Sequence, residues 1–328
     1  MSPAALVADA LRGTDEIIAV TGATGWFGAV ALDLLFTALG EDAPARVVGY
    51  ASVAREVTVA DGRTVVVRPL HELVSQDPPP TTILHLAYLT PDRIQALGVD
   101  AYTSQNVAIT ATVLDAIATH RPRHVLVTSS GAVYSSSGRL AADLRSDAYG
   151  TLKHIDELAF RTASRDAGAV CVIPRVFNVA GGRRSKPTLY ALGSMIAMAR
   201  DGGPIDVHAR WPVYRSYCGV DEVVALSLWL ALAGVDVVFD TSGEIVEIGD
   251  LALLLARLHG LDESAVRRIW DSASAEDRYV GDGRRMLELA ARAGLRLRSL
   301  VELVTESSTS HNLPGMNQAA IDRTGRAR

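Results

Sequence analysis

Tyr149 and Lys153 stand four residues apart, and Ser130 closes the apolar run Val125-Leu126-Val127-Thr128-Ser129 upstream of them. On a helix this spacing puts phenol and ammonium on one face. A nearby cation favours the ionised phenol, and a phenol of lowered pKa can exchange a proton with a hydroxyl or carbonyl while a hydride moves to or from a cofactor. Ser130, at the C-terminal end of its strand, is expected to orient the reacting oxygen. Tyr-x-x-x-Lys alone also describes an ordinary solvent-facing pair, so its meaning rests on context.

That context is the segment Ile17-Ile18-Ala19-Val20-Thr21-Gly22-Ala23-Thr24-Gly25-Trp26-Phe27-Gly28. An apolar run enters three glycines at three-residue spacing, and a helical pattern follows. Gly22 would allow a tight turn, Gly25 the approach of a pyrophosphate, and Gly28 close packing of helix on strand. The pyrophosphate would then rest on free N–H groups at the helix N-terminus. Where the second strand ends, NAD binders usually carry an acid for the ribose hydroxyls. Tyr50-Ala51-Ser52-Val53-Ala54-Arg55 has none. Ser52 and Arg55 could take a 2′-phosphate, which tips the NAD(P) reading toward NADP, although Arg55 could equally be a solvated surface residue.

These residues need a scaffold, and the chain supplies one. Ile17–Thr21, Arg46–Tyr50, Thr64–Arg68, Thr82–Ala87, His124–Ser129 and Val170–Pro174 are short β-branched or apolar runs with turn residues between them, the pattern of buried strands. Helical stretches alternate with them, as in Gln105–His120. The pattern predicts α/β architecture: a Rossmann-type doubly wound parallel sheet with a smaller C-terminal α/β part for substrate. Residues 1–180 form the expected cofactor-binding domain, with 212–240 returning to it. Residues 181–328 are mainly substrate-binding, with Leu189–Ala199 and Arg284–Ala293 as helices and Asp250 as the cap of a helix from Leu251 to His259. The tail from Ser307 is expected to be flexible.

With 328 residues, 48% of them hydrophobic, and a net charge of −5, the chain offers no reason to expect nucleic acid or a membrane as partner. Two cysteines, Cys171 and Cys218, make neither a metal spacing nor a disulfide framework, so no metal is expected. The N-terminus lacks the apolar run of a signal peptide, which makes the cytoplasm the expected location.

Over roughly residues 16–300 the chain resembles the extended short-chain dehydrogenase/reductase family, also called the NAD-dependent epimerase/dehydratase family. Thr21 through Gly28 looks like its cofactor loop, His85-Leu86-Ala87-Tyr88 like its fourth-strand motif along the cofactor, and Asn106 like an asparagine that ties strands together. Ser130 to Tyr134 resembles Ser-x-x-Val-Tyr, and Tyr149 with Lys153 the catalytic pair. Asn178 within Arg175-Val176-Phe177-Asn178-Val179, and Arg215 within Arg215-Ser216-Tyr217, match its substrate contacts, the arginine gripping a diphosphate. The resemblance implies a nucleotide-diphosphate sugar as substrate, and a homodimer built from the helices around Gln105–His120 and Tyr149–Ser164.

Departures narrow the chemistry. The family's 4,6-dehydratases place Asp-Glu after the Ser/Thr, where this chain has Gly131-Ala132, and decarboxylases keep a Glu at the second position. What remains needs only Ser130, Tyr149, Lys153 and the cofactor: a 4-epimerase or a ketoreductase. Arg183, Arg184, Lys186 and Arg215 are the basic candidates for the diphosphate, the first three equally readable as a solvated loop. A reductase of a non-sugar carbonyl would not need them. A non-catalytic NAD(P)-sensing regulator would not need Tyr149 and Lys153.

Overall fold

Runs of four or five apolar residues with no polar face are stable only when covered on both sides, and helices between them provide that cover. The computed structural model describes residues 1–134, 138, 140–182, 190–271 and 275–309. In chain order its first part contains α1 (Pro3–Leu11), β1 (Ile18–Thr21), α2 (Trp26–Leu39), α3 (Ala43–Arg46), β2 (Val47–Ala51), β3 (Arg55–Thr58), β4 (Thr64–Pro69) and β5 (Thr82–His85). Next come α4 (Ile94–Leu97), α5 (Val99–His120), β6 (His124–Val127), β7 (Ser129–Ser130), α6 (Ala148–Ala167), β8 (Val170–Val176) and β9 (Asn178–Ala180). The rest comprises α7 (Ala191–Arg200), β10 (Ile205–Val207), β11 (Val213–Gly219), α8 (Val220–Leu232), β12 (Val237–Asp240) and β13 (Glu244–Glu247). It closes with α9 (Ile248–Leu258), β14 (Val266–Arg268), β15 (Asp277–Tyr279), α10 (Arg284–Ala293) and α11 (Leu300–Thr309).

The main sheet runs β12-β8-β6-β5-β1-β2-β4-β3, parallel throughout except for the β3–β4 hairpin. Strand order reverses between β1 and β5, and ligands of open parallel sheets bind outside the strand ends at such a point. One face carries α1, α2, α8 and α10, packed through residues such as Leu6, Leu35, Leu226 and Leu289. The other carries α5 and α6, packed through Val113, Ile117 and Phe160. A separate core around Leu192, Ile196, Leu251, Leu255 and Leu303 joins α7, α9 and α11 to β10 and β11. Residues 220–239 thus pack with the main sheet, and so does α10 from much later in the chain.

Three details differ from expectation. Helix α9 starts at Ile248 and is capped by Glu247, which accepts from the Gly249 N–H at 2.7 Å, so Asp250 lies inside the first turn. Ser307 to Thr309 still belong to α11, with the Ser307 hydroxyl accepting from the buried Gly181 N–H at 3.0 Å, while the rest of the tail expected to be flexible lies outside the described residues. The strand Arg55–Thr58 was not foreseen at all.

The N-terminal edge of the sheet carries a buried carboxylate. Glu16 accepts from Thr82 at 2.6 Å and pairs with Arg123 at 2.8 Å. Burial alone would raise its pKa, but hydrogen bonds from His124, Thr81 and Thr82 hold it at about 2. In the unfolded chain it regains its ordinary value of 4.5. Its stabilisation, roughly 3 kcal/mol, is therefore complete above pH 4.5 and lost as pH falls toward 2. Melting of the wild type should drop across that acid window, and Glu16→Gln should flatten the dependence there. An unchanged acid limb in the variant refutes the assignment.

Candidate active site

Gly22 has φ +68°, and a Cβ there would lie 2.6 Å from the Leu86 carbonyl and the Ala87 N–H, so only glycine lets the loop cross the end of β5. A Cβ on Gly28 would sit 2.1 Å from the Gly22 carbonyl, which is why α2 can press so closely on the turn. Helix α2 opens at Gly25 with no side-chain cap, leaving its first N–H groups facing the cleft. Thr21 knits the two strand ends together. Its Oγ1 accepts from the Leu86 and Ala87 N–H groups at 3.1 and 3.2 Å and lies 2.9 Å from His85 Nδ1. Burial holds His85 at about 3, so the ring is neutral.

Above this junction is a cleft of about 600 Å³. Its walls bring together Gly25, Trp26, Phe27, Leu86, Tyr88, Ser130, Tyr149, Lys153, Asn178 and Arg215, residues that the chain spreads over nearly two hundred positions. Trp26 is fixed by donating to the Gly181 carbonyl at 2.9 Å. Asn106 holds the loop after β5 by accepting from Leu89 N–H at 2.9 Å. Asp147 caps α6 through the Gly150 N–H at 2.8 Å and so sets Tyr149 and Lys153 in its first two turns.

Lys153 is buried and donates to the Thr128 carbonyl at 2.9 Å, with its Nζ 3.5 Å from the centre of the Tyr88 ring. Burial pulls its pKa down to about 8 against the carboxylates of Asp156 and Glu157. Burial likewise pushes the Tyr149 hydroxyl above its ordinary value, opposed by a hydrogen bond with Ser130. This reverses the expected lowering of the phenol: the ammonium points at Tyr88 and Thr128, and desolvation dominates. Ser130 Oγ accepts from the Ala132 N–H at 3.1 Å. A phenol beside a serine hydroxyl, with a lysine one turn on, can pass a proton to or from an oxygen lodged between them.

Other sequence candidates lie differently. Arg215 lines the cleft but already pairs with Asp277 at 2.7 Å, so an anion would have to share it. Arg55 opens β3 and borders a second recess with Ala23 and Thr24 of the glycine loop, while Ser52 is exposed nearby. Arg183, Arg184 and Lys186 fall outside the described residues. Tyr279, which sequence reasoning missed, stands in the cleft wall with its hydroxyl 3.4 Å from Ser130 Oγ. Among the described residues no group of three or more His, Cys, Asp or Glu could hold a metal, and no helix is long and apolar enough to cross a membrane.

The profile of the NAD dependent epimerase/dehydratase family matches residues 18–249, from the first strand through all the cleft-lining elements named above except β15. The chain belongs to the NAD-dependent epimerase/dehydratase family. No curated protein sequence matches it significantly. Solved structures of similar fold include UDP-N-acetylglucosamine 4-epimerase from Methanobrevibacter ruminantium, at TM-score 0.70 and 17% identity over 90% of this chain and 98% of that one. The dTDP-glucose 4,6-dehydratase DesIV of Streptomyces venezuelae gives 0.70 and 21% over 90% and 97%. UDP-glucose 4-epimerase from Thermotoga maritima gives 0.67 and 18% over 90% and 98%. Members of this family are NAD-dependent enzymes, and the Rossmann-type sheet, the nicotinamide cofactor and the nucleotide-sugar relatives agree with the general reading of the sequence.

Proposed function

We propose that this family member transfers a hydride at a carbinol or keto carbon of a nucleotide-diphosphate sugar, as a 4-epimerase, with Tyr149 as the acid/base. One observation carries the reading. Ser130, Tyr149 and Lys153 share one cleft, and the two positions after Ser130 hold no acid. A side chain at Gly131 would meet the Phe177 ring at 2.5 Å, so an acid at that position would require the ring to move. Chemistry that needs only the phenol, the serine and a cofactor remains. Lys153 would hold the nicotinamide ribose, and Gly22, Gly25, Trp26, Phe27, Gly28, Leu86, Ala87 and Tyr88 the rest of the dinucleotide. Asn178, Arg215 and Arg183 would contact the substrate, whose class is supported by the UDP-sugars and dTDP-glucose named for the similar structures. Residues 1–180 and 212–240 serve the cofactor in this reading, and 181–328 mainly the substrate.

A ketoreductase is the second reading, favoured by the acid-free end of β2 and by Arg55 beside Thr24, which suit NADP. Mass spectrometry of nucleotide released by denaturation separates the two. Oxidised NAD near one per chain is expected of an epimerase that regenerates its cofactor. An empty site that prefers NADPH to NADH supports the ketoreductase instead. Failure to bind either dinucleotide overturns both.

A cytoplasmic homodimer fits the same proposal. Helices α5 and α6 expose Val107, Ile155 and Leu158 by 52%, 48% and 55% on one outer face, a density of apolar side chains that pairing would bury. Leu158→Glu is expected to turn a dimer into a monomer in sedimentation. A wild type that is monomeric at micromolar concentration refutes this part.

A further inference from the structure

Tyr279 reaches the reaction centre from far along the chain. Strand β15 pairs in parallel with β11, setting Tyr279 opposite Arg215, and the Arg215–Asp277 ion pair fastens the same short strand. The Tyr279 ring packs on Phe177 with centroids 4.8 Å apart, and Asn178 Nδ2 donates to the Tyr279 carbonyl at 3.3 Å. Phe177 in turn fits only because positions 131 and 281 are glycine: a Cβ at either would meet its ring at 2.5 and 2.8 Å. The two aromatics thus occupy the side of Ser130 where an acid is missing.

A serine hydroxyl has one proton to donate and two lone pairs to accept with. The Ala132 N–H takes one lone pair of Ser130 Oγ, at 3.1 Å. The Tyr279 hydroxyl stands 3.4 Å away, and either oxygen could donate. If serine gave its proton to Tyr279, it would have none for a substrate. If Tyr279 donates, both serine lone pairs are taken and the proton must turn toward Tyr149 and the oxygen beside it. The Tyr279 phenol carries its proton near neutral pH and so can donate; burial pushes its pKa further up, opposed by hydrogen bonds with Ser130 and the Ala132 backbone. Catalytic hydrogen bonds often tighten from such distances only once substrate is bound.

Building on the proposed hydride-transfer function, we propose that Tyr279 is a positioning residue whose hydroxyl fixes the direction of the Ser130 hydrogen bond. Tyr279 does not itself exchange the proton; it ensures that Ser130 offers its own to the reacting oxygen.

The test is steady-state kinetics of the cofactor-loaded full chain on UDP-glucose, UDP-galactose and dTDP-glucose, with product followed by NMR. Tyr279→Phe keeps the ring and removes the hydroxyl. It is expected to lower kcat by about 10- to 100-fold with KM nearly unchanged. Ser130→Ala should lower kcat at least as much. The double variant should be no slower than Ser130→Ala alone, since Tyr279 has no serine left to orient. Equal loss from Tyr279→Phe in both backgrounds, full kcat in Tyr279→Phe, or a loss confined to KM overturns the proposal. A wild type that binds dinucleotide but turns over none of these sugars, nor reduces their 4-keto forms, sinks the hydride-transfer reading first and this inference with it.

Discussion

Tyr149→Phe is expected to reduce turnover by about 10²- to 10⁴-fold while dinucleotide affinity stays within a few-fold of wild type, because general acid–base catalysis contributes on that scale and the ring is retained. In the proposed reaction the phenol carries the proton: Ser130 lines the same cleft, and Lys153 lies one turn further along α6. Hydride transfer at a carbinol carbon leaves a carbonyl only if the hydroxyl proton departs in the same event, and the positions next to Ser130 and below the cleft offer no ready replacement for the phenol. Gly131 and Ala132 are not titratable, and His85 is locked neutral against Thr21. The stopped-flow trace of cofactor reduction should slow in parallel with steady-state turnover. Wild-type-like turnover in Tyr149→Phe would remove the proton role altogether. Retained binding and partner response with no turnover in either protein would point to a sensor.

Much of this was legible in the sequence because its causes are local. Strands β1, β5 and β6 are short apolar runs whose every residue is fully or nearly buried, so composition and length identify them without partners. The glycine loop is legible because steric limits at Gly22 and Gly28 admit no other residue. Strand β3 was missed since its four residues are mostly exposed. The signal that could have found it is Asp61-Gly62, a turn pair with Gly62 at φ +88°, between Arg55–Thr58 and Thr64–Pro69. The rise in the Tyr149 pKa was missed for a different reason: spacing on a helix says which side chains share a face, not which way a lysine aims or how much water the site loses. Tyr279 belongs to no local pattern, since it meets Ser130 across 149 positions through strand pairing, and only the folded chain reveals it.

The same limit applies to the support beneath the site, where the largest stability effect is expected. Arg175 at the end of β8 grips Glu157 of α6 with two hydrogen bonds, at 2.9 and 2.7 Å. Ser129 donates to the same carboxylate at 2.5 Å, and Arg175 also donates to the Tyr134 hydroxyl at 2.6 Å, which reaches Asp240 at 3.0 Å. Glu157 is one turn past Lys153, and Ser129 precedes Ser130, so the network pins both catalytic segments to the sheet. Glu157→Ala strands a guanidinium whose side chain is only 18% exposed. Losing one partner of a buried pair costs about 3–5 kcal/mol, far beyond a surface pair, because the remaining charge has lost its water and its counter-ion. Urea denaturation should register that loss. Replacing both partners, as in Arg175→Met with Glu157→Leu, should restore much of the stability, since apolar groups of similar size leave no charge behind. Activity should not return with it, because the Ser129–Glu157 hydrogen bond to α6 is then lost. A Glu157→Ala chain within about 1 kcal/mol of wild type would mean that water reaches Arg175 and that the pair supports the site less than its geometry implies.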